Sequence, residues 1–224
     1  MQFQIGKKPG IFYLINSDME QYKHSLEIEL TSKCTLQCPA CSRMTSTNRV
    51  WDSGDMDIDV VKRICDETDY KRYLFVGCYG DVIYHPRFVE ICKYYQDAGK
   101  KLLVHTNGSL KPQKFWDQMA ELDWSKTWFT FSIDGLKDTN HNYRVNTKWD
   151  TIMRGIETMT SLPEDRAPAK LTWKYLVFPF NEHQVNEART MAMDLGFTEF
   201  EALKSLRSAA TYYEQGNGDK FVWK

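Results

Sequence analysis

No stretch of the 224-residue chain reaches the roughly 18 apolar residues that a membrane-spanning helix needs. The opening residues, Met1 to Gly10, are polar and lack the apolar centre of a secretory signal. Neither sign of charge is in excess: 29 Lys and Arg against 30 Asp and Glu leave a formal net charge of −1. That balance gives no electrostatic case for nucleic acid or an anionic membrane as partner. Taken together, these absences predict a cytoplasmic location. There is also no internal repeat, no low-complexity tract and no cysteine after Cys92.

What is present is an alternation of short β-rich runs with helical patterns. Strands are predicted at Leu26–Leu30, Tyr73–Cys78, Lys101–Thr106, Thr127–Ile133, Lys170–Phe178 and Glu199–Leu203. Helices are predicted at about Asp57–Thr68, Pro86–Ala98, Pro112–Leu122, Thr147–Ser161 and Asn181–Leu195. Asn181 with Gln184 has the spacing of a capping box, Pro86 and Pro112 suit first turns, and Gly99 and Gly196 suit left-handed helix ends. Repeated strand-then-helix order implies an α/β fold with a parallel sheet and right-handed crossovers. Six such units make a partial (β/α)6 barrel, two short of the closed eight. The expected organisation is an N-terminal extension over 1–25, the partial barrel over 26–203, and a C-terminal segment over 204–224. That last segment, with Tyr212, Tyr213 and Gly216–Gly218, is expected to cover the barrel mouth or the open edge.

Six cysteines stand at 34, 38, 41, 65, 78 and 92. Three of them crowd into Cys34–Cys41, and the chain shows no export signal, so a metal or redox role is favoured over disulfides. The trio follows the first predicted strand, in the segment Glu29-Leu-Thr-Ser-Lys-Cys34-Thr-Leu-Gln-Cys38-Pro-Ala-Cys41. A loop with these gaps can wrap a compact [4Fe–4S] cluster, three thiolates leaving one iron open to another ligand. A zinc site would usually recruit a fourth Cys or His at close spacing, and none is nearby. The plainer alternatives are a zinc loop completed from a distance, or three unrelated buried cysteines.

Later strand ends carry further candidates, as the carboxyl ends of barrel strands usually do. In Gly77-Cys-Tyr-Gly80-Asp81-Val82, glycine permits close backbone approach and a carboxylate can accept from an ammonium group. Thr106-Asn107-Gly108 is first a turn signal. Ser132-Ile-Asp-Gly135 and the following Arg144 supply a hydroxyl and a guanidinium suited to a carboxylate. Cys65 and Cys92 fall in helical patterns and read as small buried apolar groups, whereas Cys78 lies beside a proposed motif. Lys174 is an unusual strand residue and a candidate for contact with substrate.

The CxxxCxxC segment resembles the signature of radical S-adenosylmethionine (radical SAM) enzymes, and the other motifs follow in that family's order. The resemblance implies that Cys34, Cys38 and Cys41 bind a [4Fe–4S] cluster whose fourth iron takes the methionine part of S-adenosylmethionine. It implies that Gly80 and Asp81 meet the methionine amino group, that Ser132 and Arg144 hold its carboxylate, and that backbone at Val177 and Phe178 flanks the adenine. An external one-electron donor such as flavodoxin or ferredoxin would supply the electron for cofactor cleavage. The Ser-Ile-Asp-Gly strand end resembles the sulfatase-maturase branch, which modifies peptides. Without cysteines after Cys92 there is no auxiliary cluster, which implies a single-cluster enzyme acting on a peptide or small molecule. Departures are Ala40 before the third cysteine, where an aromatic is common, and Val82 in place of a proline. Within the superfamily, 7-carboxy-7-deazaguanine synthase and glycyl-radical-activating enzymes have similar size, but Ser42-Arg43 lacks the threonine of the former. Outside catalysis, the rivals are an iron–sulfur protein for electron transfer or sensing and a zinc-stabilised binding module.

Overall fold

Six parallel strands follow one another in sequence order, each joined to the next by a helical connection. The computed structural model describes residues 24–45 and 53–204, with the backbone of 12–13, 213–214 and 220–221. In chain order, β2 (Ser25–Ile28), β3 (Arg72–Phe75), β4 (Leu102–Thr106), β5 (Trp128–Ser132), β6 (Lys170–Val177) and β7 (Glu199–Lys204) pair parallel with their neighbours. A short strand, β1 (Phe12–Tyr13), extends the edge antiparallel to β2. The result is the expected partial (β/α)6 barrel, open rather than closed.

The crossovers are α2 (Ile58–Glu67), α3 (Phe88–Asp97), α4 (Gln113–Ala120), α6 (Trp149–Thr160) and α7 (Val185–Asp194); α1 (Ser42–Thr45) and α5 (Asn140–Tyr143) are single turns. Each long helix presents one apolar stripe. On α2 it is Ile58, Val61, Ile64 and Cys65, and on α6 it is Ile152, Ile156 and Met159, with Gly155 seating the helix against Trp116. Both stripes pack on the outward side chains of the strands, among them Leu26, Ile28, Phe75, Val104, Phe129 and Phe131. As predicted from sequence, Cys65 and Cys92 lie in this core.

Three expectations need amendment. Residues 12–13, placed in an extension, contribute an edge strand; two residues carry too little periodicity to be read. Asn181 does not cap α7: its Oδ1 accepts from the Phe178 N–H at 2.6 Å and its amide donates to the carbonyls of Asp134 and Leu176. Gln184 likewise turns to Leu136 and Thr139, so the pair ties strand ends together instead. Pro112 occupies the N-cap of α4, one position before its first helical residue, and Pro86 precedes the N-cap Arg87 of α3, two positions before its first helical residue. Gly99 (φ 70°) and Gly196 (φ 93°) do end their helices in the left-handed region. The covering role expected for 204–224 falls largely on residues outside those described; the described backbone there, β8 (Tyr213–Glu214) and β9 (Lys220–Phe221), forms a separate antiparallel pair.

Candidate active site

The three cysteines leave the end of β2 on a loop that is fixed at its base. Ser32 N–H donates to Gly54 O at 3.0 Å, Thr31 Oγ1 donates to Asp55 Oδ1 at 2.7 Å, and Lys33 pairs with Asp55 at 2.7 Å. Further along, Gln37 N–H donates to Val145 O at 3.1 Å, joining the loop to the turn after α5. Arg43 closes it by donating to the Leu36 carbonyl. All three cysteines are free thiols and line one cavity of about 560 Å³. Burial pushes the Cys34 thiol up to about 11, helped by the Asp81 carboxylate. It pushes Cys38 up to about 12, against the nearby Arg144 charge. Cys41 adds to the upward push on both Cys34 and Cys38, and Cys34 to that on Cys38, as thiols that border the same cavity would.

The donor set fits an iron–sulfur cluster. Among the described residues no three His, Cys, Asp or Glu side chains close on a single ion. A cubane brings its own sulfide framework and spreads three thiolates over three irons. Soft sulfur donors on one short loop suit it better than a lone hard cation.

Gly80 meets the loop at a very close approach. A Cβ there would lie 1.9 Å from Thr31 O, and one at Gly77 would lie 2.0 Å from Gly80 O. The Asp81 N–H donates to Lys33 O at 2.9 Å, so this turn and the cysteine loop share backbone. The Asp81 side chain also lines the cavity, but both its oxygens are engaged: Oδ1 accepts from Thr106 Oγ1 (2.8 Å) and Ile83 N–H (3.2 Å), and Oδ2 from Asn107 N–H (2.6 Å). Burial raises its pKa while those donors pull it back. Ser132, at the end of β5, faces the cavity. Arg144 does so too, its Nε 2.7 Å from Asp134 Oδ2. Cys34, Cys38, Cys41, Gly80, Asp81, Ser132 and Arg144 are therefore brought to one cavity. Val177 and Phe178 are not among its lining residues; Leu176 is, and the Phe178 ring instead packs on Tyr143 at 4.4 Å.

Sequence reasoning missed several neighbours. Asn107 Nδ2 lies 3.6 Å from Cys34 Sγ, a donor to a candidate cluster ligand from a motif read as a turn and a marker of strand register, with no role at the site. Glu29 Oε1 accepts from the N–H groups of Tyr79 (2.5 Å) and Gly80 (2.9 Å), pinning the glycine turn. Glu27 and His105 line the cavity alongside Lys174 and Cys78. Burial, aided by Lys174, takes the His105 ring down to about 3, leaving a neutral imidazole.

Comparison with known proteins settles the family. Residues 28–187 match the radical SAM superfamily. The chain belongs to it. Superfamily members use a [4Fe–4S] cluster and S-adenosylmethionine. The Pyrococcus furiosus tungsten-containing aldehyde ferredoxin oxidoreductase cofactor-modifying protein is 28% identical over 111 residues, covering 48% of this chain and 30% of the relative. The Methanosarcina barkeri AdoMet-dependent heme synthase is 28% identical over 134 residues, covering 58% and 37%. The chain thus spans about a third of the length of these curated relatives. Among solved structures, Streptococcus suis SuiB bound to S-adenosylmethionine aligns with a TM-score of 0.64 at 14% identity, covering 84% of this chain and 42% of SuiB. anSMEcpe with bound AdoMet aligns at 0.59 and 20%, covering 81% and 51%. At such identities these likenesses concern the fold. No described helix of the radical SAM chain is long and apolar enough to cross a membrane.

Proposed function

We propose that this chain holds one [4Fe–4S] cluster on Cys34, Cys38 and Cys41 and reductively cleaves S-adenosylmethionine, using the resulting 5′-deoxyadenosyl radical to take hydrogen from a peptide or small molecule. The carrying observation is that three loop thiols, the Gly80 turn, Ser132 and Arg144 all border one cavity at the carboxyl ends of successive strands. When bound, the cluster and cofactor supply the one-electron chemistry, fed by a donor such as flavodoxin or ferredoxin.

The chain's own residues have positioning roles. The cysteine loop, fixed through Thr31, Ser32, Lys33 and Gln37, presents three thiolates with little freedom left to lose. Asn107 orients Cys34 through its amide. Gly80 gives the methionine amino group close access to backbone, while Asp81 braces that turn against β4 and contributes charge from behind. Ser132 offers a hydroxyl and Arg144 a buried positive charge to the methionine carboxylate. The adenine lies toward the end of β6, by Leu176 and the backbone of Val177 and Phe178.

The test is anaerobic reconstitution with iron and sulfide, then dithionite and S-adenosylmethionine, with 5′-deoxyadenosine measured by mass spectrometry. Product from the intact chain and none from Cys38→Ala is the expected result. An intact cluster without 5′-deoxyadenosine assigns the chain to electron transfer or sensing instead.

A further inference from the structure

Beneath the strand ends, Glu27 on β2, His105 on β4 and Lys174 on β6 face the same cavity, and none is used by the site above them. The two-residue period of each strand puts them there: His105 and Leu103 point inward on β4, Lys174 and Leu176 on β6. Register sets Lys174 beside Ser132 and His105 beside Thr130, so these side chains lie at or below the Ser132 level.

Their partners within the protein are poor. Glu27 is 6% exposed, and its hydrogen bond is a long 3.6 Å contact from the Cys78 thiol. Lys174 has Glu201 at 3.7 Å, beyond hydrogen-bond reach. His105 makes no hydrogen bond to a described residue, although Lys174 is near enough to influence its ring. Inward-facing charge in a barrel is unfavourable unless a counter-group arrives with good geometry. An apolar occupant would leave Glu27 with only the long Cys78 contact and Lys174 with only its long ion pair to Glu201. A pure anion would satisfy Lys174 and strand Glu27, and a pure cation would do the reverse. Only a ligand carrying both charges answers the whole floor.

We infer that this floor is the substrate subsite and that it takes a small zwitterionic amino acid, its carboxylate toward Lys174 and His105 and its ammonium toward Glu27. The inference rests on giving the strand-end half of the cavity to the cluster and S-adenosylmethionine, which leaves the floor facing the reactive carbon. Lys174 and Glu27 are then binding residues that fix which C–H bond is presented.

Isothermal titration calorimetry on the reconstituted protein with S-adenosylmethionine tests this. The ligands are a panel of α- and ω-amino acids, each with its decarboxylated amine and its deaminated acid. At least one amino acid is expected to bind better than both of its truncated forms. Lys174→Met should weaken that amino acid about tenfold to a hundredfold, the loss of a hydrogen bond to a charged group, and leave the amine unchanged. Glu27→Gln should weaken the amino acid and the amine alike and leave the deaminated acid unchanged. If Glu27→Gln does not fold, the amino acid and amine pair on Lys174→Met decides alone. No binding by any panel member, or equal weakening of every ligand by Lys174→Met, overturns the inference. 5′-Deoxyadenosine formed without any amino acid reports the proposed function separately. Binding without cleavage keeps this subsite and removes that function, while cleavage without binding does the opposite.

Discussion

The Arg144 guanidinium approaches Asp134 to 2.7 Å, and the Asp134 side chain has no exposed surface at all. Its other oxygen accepts from the Leu176 N–H at 2.7 Å, and the Asp134 N–H donates to Asn140 Oδ1 at 2.8 Å. One carboxylate therefore joins the ends of β5 and β6 to the turn that carries Arg144. Burial works against the Arg144 charge, but Asp134 and Cys38 more than offset it and raise its pKa. Arg144 is at once a structural tie and the main fixed positive charge beside Cys38.

That dual position makes Arg144→Met costly before any cofactor binds. Removing one member of a buried pair strands the other, at about 3–5 kcal/mol. Urea denaturation of the protein without cluster should show a loss of that order. Lys137→Met, which breaks an exposed pair with Asp150, should change stability by about 0.5 kcal/mol or less. Equal effects from the two variants would make Arg144 an ordinary surface charge.

The thiols separate in the same way by location. Cys34→Ala, Cys38→Ala and Cys41→Ala should each fail to retain iron and sulfide after anaerobic reconstitution, because each removes a ligand from the convergent loop. Cys65→Ala, in the α2 core, should keep the iron content of the parent protein and lose only a little stability. Full iron in any of the three loop variants would refute the ligand assignment.

Gly80→Ala tests whether the glycine turn and the cysteine loop move as one. An added Cβ 1.9 Å from Thr31 O, against backbone on both sides, cannot be relieved by a side-chain shift. The loop carrying Cys34 must move, so the melting temperature and the iron content after reconstitution should fall together. Gly54→Ala, where a Cβ meets nothing within 4 Å, is the matched control and should preserve both.

The sequence made the long elements legible because each buries a face at a regular period, and α2 and α6 show it plainly. Cys34, Cys38 and Cys41 stand out in the sequence because three thiols crowd into one short segment, and the fold brings all three to one cavity. What was not legible depends on neighbours distant in the chain. Asn181 sits three residues before Gln184 like a cap, yet its Oδ1, the atom that would cap, accepts from the Phe178 N–H instead, while its amide donates to the Asp134 carbonyl. Asn107 reaches Cys34 across 73 residues of chain. In the predicted strand Leu26-Glu27-Ile28-Glu29-Leu30 the two acids alternate with apolar residues. Here the leucines and Ile28 meet the helices, so the acids must point into the barrel. The signal was available: a parallel strand covered by helices has no solvent face for its glutamates.

Those two glutamates give the protein a pH dependence of definite sign. Burial raises both pKa values above 4.5; Cys78 opposes this at Glu27, the Tyr79 and Gly80 N–H groups oppose it at Glu29, and the Glu27 charge adds to it there. Between 4.5 and the raised values the folded chain holds more protons than the unfolded chain, so stability falls as pH rises through that window. Glu29→Gln keeps an oxygen for the Tyr79 and Gly80 N–H groups but cannot ionise. Below pH 4.5 its stability should match that of the parent protein. Above the raised pKa it should be the more stable of the two, because the parent must then bury a charge whose Oε2 has no hydrogen-bond partner among the described residues. Urea midpoints measured across that range check it. Parallel profiles for the two proteins would mean that Glu29 is ionised at its ordinary value and that its burial carries no such penalty.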